Sequence, residues 1–461
     1  MHKDGRQIWH PHGINLNGSY QEPPTVFLLS LGCSKNQVDS EGMRGLIAAQ
    51  GWPLCADARQ AQVIIVNTCG FILPAKEESI GALLELAQYK RDGACRLLIA
   101  VGCLVEKYRE ELARELPEVD AFLGSHEYGR IAALISQHLN QPPAPIAAGQ
   151  ALHGQRLLLS PPYLAYMKIA EGCDNHCSYC LIPQLRGPYT SRPIADIVSE
   201  ASALAQQGVK ELVLLAQDST AYGLDIAGRR LLPQLLAQLA QLPFLWIRLL
   251  YAYPDGVDEG LLTVMAAHSN ICDYLDMPLQ HGDDGVLQAM GRRLNRAQLL
   301  ERLALIRAYL PDAALRTTMM AGFPGEDEAA FANLLDFLSQ ARFDWLGAFP
   351  YYREEDTPAY FLPAQVAEEE KRDRVEKMLE IAAHITAGRL QRHVGRLLTV
   401  LAEAPAEEEY AAGWWRGRSE YQAPEVDGAV YFAARDISPG DILTVRIIDS
   451  EMFDLIGEIE I

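Results

Sequence analysis

Three cysteines stand close together near the middle of the chain, in the segment Cys173-Asp-Asn-His-Cys177-Ser-Tyr-Cys180. Thiolates in this C-x3-C-x2-C spacing can bind three irons of a cubic 4Fe-4S cluster, which leaves the fourth iron open to a substrate or cofactor. A structural zinc site is the alternative, and it needs four ligands, for which His176 is available. A second cysteine pair does not follow nearby, so the spacing favours the cluster.

Three further cysteines each follow an apolar run: Cys33 follows LLSLG, Cys69 follows VIIVNT and Cys103 follows LLIAVG. Loops that follow parallel strands lie at one edge of a sheet, so these thiols are expected to converge. We therefore predict that these three thiolates bind a further cluster, with burial in the core as the alternative. The remaining thiols have no comparable position and are interpreted as core or incidental: Cys55, Cys95 and Cys272.

The elements that must position Cys33, Cys69 and Cys103 form an α/β pattern. Apolar runs predict strands over Val26–Leu31, Val63–Val66 and Leu97–Val101, each followed by a helical pattern. One predicted helix runs from residue 39 to residue 50, with Asp39 or Ser40 as its N-cap and Gly51 just past its end. Continuous apolar strands that alternate with helices indicate a parallel sheet covered on both faces.

The middle of the chain repeats the strand-then-helix order six times. This order predicts an incomplete (β/α)6 barrel resembling a TIM barrel, whose site lies at the carboxyl ends of its strands. A charged helix over Val366–Leu390 follows, and its Glu368/Arg372 and Glu370/Arg374 pairs predict a solvated face. The six predicted strands are Leu164–Ala170, Glu211–Ala216, Leu245–Tyr251, Cys272–Met277, Leu315–Met320 and Trp345–Pro350.

Short strands separated by Gly, Pro and Asp turns fill the end of the chain and predict a small β-barrel. The domains are expected at residues 24–137, 159–392 and 393–461, with a proline-rich stretch (Pro142, Pro143, Pro145, Pro161, Pro162) between the first two. The predicted barrel strands are Leu397–Leu401, Ala429–Ala433, Ile442–Ile447 and Leu455–Ile461.

Composition narrows the possible functions. The 461 residues carry 40 Lys plus Arg against 60 Asp plus Glu, a net charge of −20, which argues against binding nucleic acid mainly through phosphates. The first twenty residues lack a signal-peptide pattern, and uncharged apolar runs stay far below the roughly 18 residues of a membrane span. Nine cysteines, an odd number in a long chain without a signal-peptide pattern, are typical of a protein in a reducing cytoplasm, and we expect no membrane association.

Together these motifs resemble the methylthiotransferases of the radical S-adenosylmethionine (SAM) superfamily, over nearly the whole chain beyond about residue 24. The C-x3-C-x2-C loop after a first barrel strand resembles the superfamily, and three preceding single cysteines with a C-terminal TRAM-type barrel resemble the methylthiotransferases. The carrying segments are SLGCSKNQVDSE (30–41), NTCGFI (67–72), EGCDNHCSYCLIPQLRGPYTSR (171–192) and GRSEYQAPEVDG (417–428).

The resemblance implies two 4Fe-4S clusters and two SAM molecules. It assigns Cys173, Cys177 and Cys180 to the cluster that chelates SAM and generates a 5′-deoxyadenosyl radical, which attacks an unactivated C–H bond that has no acidity for a general base. It assigns the other three cysteines, Cys33, Cys69 and Cys103, to a cluster that holds the transferred sulfur. An electron donor such as a flavodoxin-type protein is implied, and no side chain is expected to act as a catalytic acid or base.

Contacts to SAM are predicted at Tyr179, Gln217, Gly322 and Gly325. The two glycines lie in the segment AGFPGE, for which a Pro-Gly turn into an acidic helix start is the alternative. Gln217 and Asp218 follow the second barrel strand, where capping of the next helix is the alternative. Three arginines are candidates to bind a carboxylate of SAM or substrate, or simply to pair with acids of the chain: Arg186, Arg192 and Arg248.

The family modifies either an adenosine in transfer RNA or an aspartate of the twelfth small-subunit ribosomal protein. Residues 391–461 hold six Arg, no Lys and fourteen acids, a net charge of −8 that repels phosphates and attracts a basic protein, unless it serves only solubility. SLGCSKN, rather than a Cys-Gln-Met-Asn opening, AQDST and GRSEYQAPEVDG resemble the ribosomal-protein enzymes. We therefore expect methylthiolation of the aspartate β-carbon, with nucleic acid disfavoured as direct substrate; a transfer-RNA enzyme and a non-catalytic iron–sulfur or zinc protein that docks on ribosomes are the alternatives.

Overall fold

The computed structural model describes residues 22–140, 156–407 and 413–460. Within these ranges the chain forms an N-terminal α/β domain, a central half-open (β/α) barrel and a small closed β-barrel, which confirms the predicted fold class. Several positions of the sequence-based expectations lie outside the described residues: the first twenty residues, Pro142, Pro143, Pro145, two of the fourteen acids counted over residues 391–461 (Glu408 and Glu409), and Ile461 at the end of the last predicted strand.

The N-terminal domain is a four-stranded parallel sheet in the order β1-β2-β3-β4, with Val26 opposite Val63 and Val63 opposite Leu97. One apolar core lies on each face of this sheet, as the continuous apolar strands predict. Its elements are β1 (Val26–Ser30), α1 (Ser34–Ala49), β2 (Val63–Thr68), α2 (Leu73–Ala87), α3 (Tyr89–Asp92), β3 (Leu97–Gly102), α4 (Cys103–Glu115), β4 (Ala121–Leu123) and α5 (Ile131–Leu139).

The predicted start of the first helix is wrong. Helix α1 begins at Ser34 with Cys33 as its N-cap, so Asp39 and Ser40 lie inside the helix and are buried. Its end is confirmed, because Gly51 follows with a left-handed φ of +74°. Strand β4 was not predicted, because it has only three residues.

The central domain contains a six-stranded parallel sheet in the order β12-β11-β10-β9-β8-β5, which follows the chain without closing. The short antiparallel pair β6–β7 leads into and out of the Cys173 loop. The elements are β5 (Leu164–Lys168), β6 (Ala170–Glu171), α6 (Ile182–Arg186), β7 (Thr190–Ser191), α7 (Ile194–Gln206), β8 (Glu211–Leu215), α8 (Leu224–Ala227), α9 (Leu232–Leu239), β9 (Trp246–Leu249), α10 (Glu259–Ala267), β10 (Ile271–Asp276), α11 (Asp284–Ala289), α12 (Arg296–Tyr309), β11 (Ala314–Ala321), α13 (Glu328–Ala341), β12 (Trp345–Pro350) and α14 (Glu368–Leu390).

Helix α14 has the solvated face that its charges predict, with Glu368 and Arg372 exposed, but its opposite face is buried, which the sequence-based interpretation did not include. Its Arg374 does pair with Glu370 as expected, but this arginine is buried and also binds Glu326 at 2.7 Å. Glu368 pairs with the buried Lys371 at 2.6 Å. A charge pattern that predicts exposure therefore conceals a face that packs on the central domain.

The C-terminal domain is a closed barrel in the order β13-β14-β15-β17-β16. Strand β14 was missed because WWRGR holds two arginines and a glycine, a pattern that does not read as an apolar strand. Among the described residues no helix has both the length and the apolarity needed to cross a membrane. The barrel strands are β13 (Leu397–Pro405), β14 (Trp414–Arg418), β15 (Val430–Ala433), β16 (Ile442–Glu451) and β17 (Asp454–Ile459).

A buried ion triad fastens the barrel to the central domain. Glu211, at the start of β8, accepts hydrogen bonds from Arg248 and from Arg418 of the barrel, both at 2.7 Å. All three side chains are at most 1% exposed. Burial alone would raise the pKa of Glu211, but the charges of Arg418 and Arg248 outweigh it and lower that pKa. The carboxylate therefore stays charged between the two domains.

Glu211→Ala is expected to destabilise the protein by about 3–5 kcal/mol, because it leaves the buried Arg248 without a carboxylate and the buried Arg418 with Glu403 alone. Urea unfolding followed by circular dichroism measures this loss. The control is Glu460→Ala, which breaks an exposed pair with Arg446 and should leave the unfolding curve unchanged. Equal curves for the two variants would contradict a structural role for the buried triad.

Candidate functional site

The first cysteine triad along the chain, which is Cys33, Cys69 and Cys103, lies at the carboxyl edge of the N-terminal sheet, as expected. Cys33 is the N-cap of α1 after β1, Cys69 follows β2 directly, and Cys103 is the first residue of α4 after β3. Cys69 and Cys103 are buried, whereas Cys33 is exposed. The parallel sheet thus brings together three thiols that lie 36 and 34 residues apart along the chain.

Two glycines allow these loops to approach closely. Gly32 has φ +84°, and a Cβ on it would lie 2.7 Å from Cys69 Cβ and 3.1 Å from Cys69 Sγ. A Cβ on Gly70 would lie 2.8 Å from Leu104 Cα, beside Cys103. Any larger residue would push the three loops apart, so the glycines help the triad to converge.

An arginine of the central domain reaches into this triad. Arg186, at the end of α6, donates from Nε to Cys103 Sγ at 3.1 Å and also binds the side-chain oxygen of Asn36. Burial raises the pKa of Cys103 to about 11, and the charge of Arg186 opposes that rise. Burial likewise raises the pKa of Cys69. The guanidinium therefore supplies positive charge where a bound thiolate would carry negative charge.

The second triad along the chain, which is Cys173, Cys177 and Cys180, occupies the loop between β6 and α6. Cys173 and Cys177 are buried, and Cys180 is partly buried, with burial raising its pKa to about 12. Cys177 Sγ lies 3.0 Å from the hydroxyl of Tyr253, which follows β9. The guanidinium of Arg292 lies 3.9 Å from the centroid of the Tyr253 ring. A tyrosine and an arginine thus line this triad at the carboxyl end of the barrel.

The five-residue helix α6 joins the two triads. It begins directly after the Cys180 loop and ends at Arg186, which contacts Cys103. Leu181 and Leu185 pack with Cys103 and Phe71 in a small apolar cluster, and Ser125 donates to the Leu185 carbonyl at 2.7 Å. Apolar side chains therefore pack between the two cysteine sites, and the helix is tied to both domains.

A buried ionic network surrounds this helix. Asp39 of α1 binds Arg186 at 2.8 Å and also pairs with Lys168, and Glu171 binds Lys168 at 2.6 Å. Burial favours the neutral form of Glu171, but the charges of Lys168 and Arg186 outweigh it and lower the pKa of this carboxyl. Asp39, expected from the sequence to cap a helix, instead holds the two domains together.

Two of the predicted SAM contacts lie beside the second triad. Tyr179 is within the cysteine loop, and its ring meets Phe323 edge to face with centroids 6.5 Å apart. Gln217 donates to Glu171 at 2.8 Å, and its own side-chain oxygen is buried without a hydrogen-bond partner among the described residues. That oxygen is free for a ligand, whereas the neighbouring Asp218 caps the following turn by accepting from Thr220 and Ala221.

The two predicted glycine contacts follow β11 in a turn. The Gly322 N–H donates to both Glu326 carboxylate oxygens at 3.0 Å, and a Cβ on Gly322 would lie 2.2 Å from Lys371 Cγ. Gly325 has φ +87°. Asp327 then caps α13 through the Ala330 N–H at 2.8 Å. The structure matches the turn alternative, while contact with SAM stays a prediction.

The other candidate arginines bind acids of the chain itself. Arg192 binds Glu200 at 2.6 Å, and Arg248 binds Glu211 at 2.7 Å. These acids are buried in the protein, not on its surface. Both guanidinium groups are thus paired with acids of the chain, while Arg248 Nη2 has no hydrogen-bond partner among the described residues.

The donor atoms of both triads fit iron–sulfur clusters. Soft thiolates are the ligands that iron–sulfur clusters take, and each triad offers three. Among the described residues no group of three or more His, Cys, Asp or Glu side chains is arranged to hold a single metal ion. Three thiolates suit a cluster in which each thiolate binds a different iron, whereas a structural zinc site takes four ligands.

Sequence reasoning missed several residues that the fold brings to the triads. Tyr253 and Arg292 lie 76 and 115 residues beyond Cys177, with which they make contact. Asn36 donates to the Leu31 and Thr68 carbonyls at 2.9 and 3.1 Å and so ties the Cys33 loop to the Cys69 loop. Asn36 stands in the quoted SLGCSKN segment, which was the available signal; Tyr253 and Arg292 gave none.

Family models match the three domains in order. Residues 25–124 match the uncharacterized protein family UPF0004, residues 167–338 match the radical SAM superfamily, and residues 394–459 match the TRAM domain. A solved structure of similar fold is the radical S-adenosylmethionine methyltransferase TsrM from Kitasatospora setae. It has a TM-score of 0.54 and 15% identity, covering 73% of this chain and 77% of that one.

Curated relatives resemble the chain over almost its full length. The ribosomal protein uS12 methylthiotransferase RimO of Pelobacter propionicus is 48% identical, over 95% of this chain and 98% of its own. The proteins of that name from Geobacter sulfurreducens and Clostridioides difficile are 47% and 42% identical, over 94% of this chain and 98% of theirs. The chain therefore belongs to the ribosomal protein uS12 methylthiotransferases, a family of radical SAM transferases.

Proposed function

We propose that this enzyme transfers a methylthio group to the β-carbon of an aspartate in ribosomal protein uS12, using two 4Fe-4S clusters and two SAM molecules. The observation that carries the proposal is the pair of three-cysteine sites joined by α6, whose terminal Arg186 touches Cys103 of the other domain. The uS12 specificity named for its relatives supports the substrate.

Each triad has a distinct task in this proposal. Cys173, Cys177 and Cys180 hold the cluster that binds SAM, and the N-terminal triad holds the cluster that carries sulfur. When bound, these groups supply radical generation from SAM and a methylated sulfur for transfer. The chain itself orients the two sites, and the apolar packing of Leu181, Leu185 and Phe71 excludes water between them.

The C-terminal barrel supports a basic protein as substrate. Its exposed side chains include the acids Asp436, Asp449, Glu451 and Glu458. Most of the six arginines of residues 391–461 are neutralised, because five have a carboxylate within 4.0 Å: Arg392, Arg396, Arg416, Arg418 and Arg446. The outer surface is therefore acidic, which attracts a basic ribosomal protein and repels phosphates.

Reduction of the clusters needs an outside electron, and a flavodoxin-type protein is the proposed donor. The reaction is placed in the cytoplasm, as the nine cysteines predict.

Deletion of the gene is expected to remove the methylthio mass increment from the aspartate of uS12. Mass spectrometry of uS12 isolated from the deletion and parent strains measures this directly. Restoring the gene should restore the increment. Persistence of the modified aspartate, together with loss of methylthioadenosine from transfer RNA, would contradict the proposed substrate and favour the RNA enzyme.

Cys177→Ala is expected to abolish SAM cleavage, whereas Cys69→Ala should retain cleavage but stop sulfur transfer, because each variant removes a ligand from a different cluster. Chromatography of 5′-deoxyadenosine and mass spectrometry of uS12 measure the two steps after anaerobic reconstitution. Cys55→Ala, which changes a thiol outside both triads, is the control and should support both steps. Normal product formation by Cys69→Ala would overturn the role of the N-terminal triad.

Reversal of three exposed barrel acids, Asp449, Glu451 and Glu458, to Lys is expected to slow association with uS12 by about tenfold or more at low salt, since steering depends on local charge. Stopped-flow fluorescence measures the rate. A matched control reverses Glu110, Glu111 and Glu115 of α4, which changes net charge equally in another domain. Equal slowing by both triple variants would show that only net charge matters.

A further inference from the structure

Lys35 is exceptional among the buried cations of this protein. Within the described ranges eight Lys and Arg side chains are buried, and Lys35, which is 7% exposed, has no carboxylate within 4.0 Å. An unpaired buried ammonium is costly, so its retention needs an explanation. The seven paired cations are Arg156, Lys168, Arg186, Arg248, Lys371, Arg374 and Arg418.

The position of Lys35 in helix α1 makes its charge still less favourable. Lys35 is in the first turn of this 16-residue helix, where the helix dipole favours negative charge and disfavours a cation. The N-cap, Cys33, makes no side-chain hydrogen bond to the first turn. A buried ammonium and the amino end of a helix thus point to the same requirement, an anion.

Tyr251 holds the ammonium across the domain boundary. Lys35 Nζ lies 3.4 Å from the centroid of the Tyr251 ring, a cation–π contact. Tyr251 follows β9 with a left-handed φ of +59°, which is strained for a tyrosine. Its N–H donates to Asp276 at 3.2 Å, and its carbonyl accepts from Ser219 at 3.0 Å, and these bonds hold the strained backbone. Such strain concentrates at functional sites.

The contact places Lys35 at the boundary between the two domains that carry the cysteine sites. It is two residues from Cys33, and the next residue, Asn36, binds the Arg186 that touches Cys103. Tyr251 lies at the carboxyl end of the barrel, where the second triad also lies. The ammonium therefore lies near the Cys33 site and is held by a residue of the other domain.

We propose that Lys35, stacked on Tyr251, is an anchor for a carboxylate at the reaction site. The inference rests on the proposed function, since that function supplies two carboxylates, the side chain of the substrate aspartate and the carboxylate of SAM. Arg292 also lacks an acid within ion-pair distance in the described part of the chain, and it lies at Cys177, on the side assigned to SAM. Lys35, at the other triad, then binds the substrate aspartate.

The test is a double-mutant cycle between Lys35→Met and uS12 whose target aspartate is replaced by asparagine. Methionine keeps the length and apolar stem but removes the charge. Loss of one charge-assisted contact is expected to weaken the binding of unmodified uS12 to the reconstituted enzyme by about 10- to 100-fold. The asparagine protein should bind both enzymes equally, because the partner of Lys35 is already missing. Fluorescence anisotropy with labelled uS12 measures all four affinities.

Controls separate an anchor from a structural role. Lys35→Arg should largely restore binding. Lys90→Met removes a lysine of α3 that pairs with Asp120, and it should leave binding unchanged. Iron content and the thermal midpoint are measured for every variant. Equilibrium binding of SAM is measured in parallel, and a loss confined to SAM would identify its carboxylate as the one anchored.

Unchanged affinity of Lys35→Met for both uS12 and SAM would overturn the proposal, as would a variant whose only defect is lower iron content. Either result would leave the proposed function intact, because that function is judged by the methylthio group on uS12 in cells. Conversely, suppose that uS12 keeps its methylthio group in the deletion strain while Lys35→Met binds uS12 more weakly. That result would reject the proposed reaction and retain the anchor.

Discussion

One buried guanidinium links the two cysteine sites directly. Arg186 is fixed by its short helix to the loop of Cys180, yet its donors are used by Asp39, Asn36 and Cys103 of the N-terminal domain. Moving that domain as a body would break all three bonds at once and leave the buried charge of Arg186 with Glu171 alone, at 3.3 Å. A directional contact therefore holds the two triads in their relative placement.

Stability alone does not account for the charges around α6. Asp39, Lys168, Glu171 and Arg186 sum to zero, but burying four charges costs desolvation that well-packed apolar residues would avoid. Apolar packing is non-directional and tolerates sliding, whereas a guanidinium fork holds its partners at fixed distances and angles. We interpret the network as a device for register between two sites that must exchange a group.

The sequence predicted what depends on local pattern and missed what depends on distant partners. The apolar run of β3 and its following cysteine could be read directly, because the signal lies within ten residues. Asp39 was misread as a helix cap, since nothing nearby shows that Lys168 and Arg186 will bury it. Arg374 was misread as exposed for the same reason, because its partner Glu326 is 48 residues away.

The acidic surface of the barrel follows in part from how the barrel is attached. At the domain boundary Arg418 pairs with Glu211, and Arg396 pairs with Asp312 of the central domain. Because these two positive charges are neutralised by acids of another domain, the exposed acids of the barrel are left without balancing cations. A long-range field of this kind speeds encounter with any basic partner but does not choose among them. Selection of one residue requires a contact at the reaction site, where an unpaired buried cation distinguishes a carboxylate from its amide. Charge thus acts twice in this protein, with opposite signs and at different ranges.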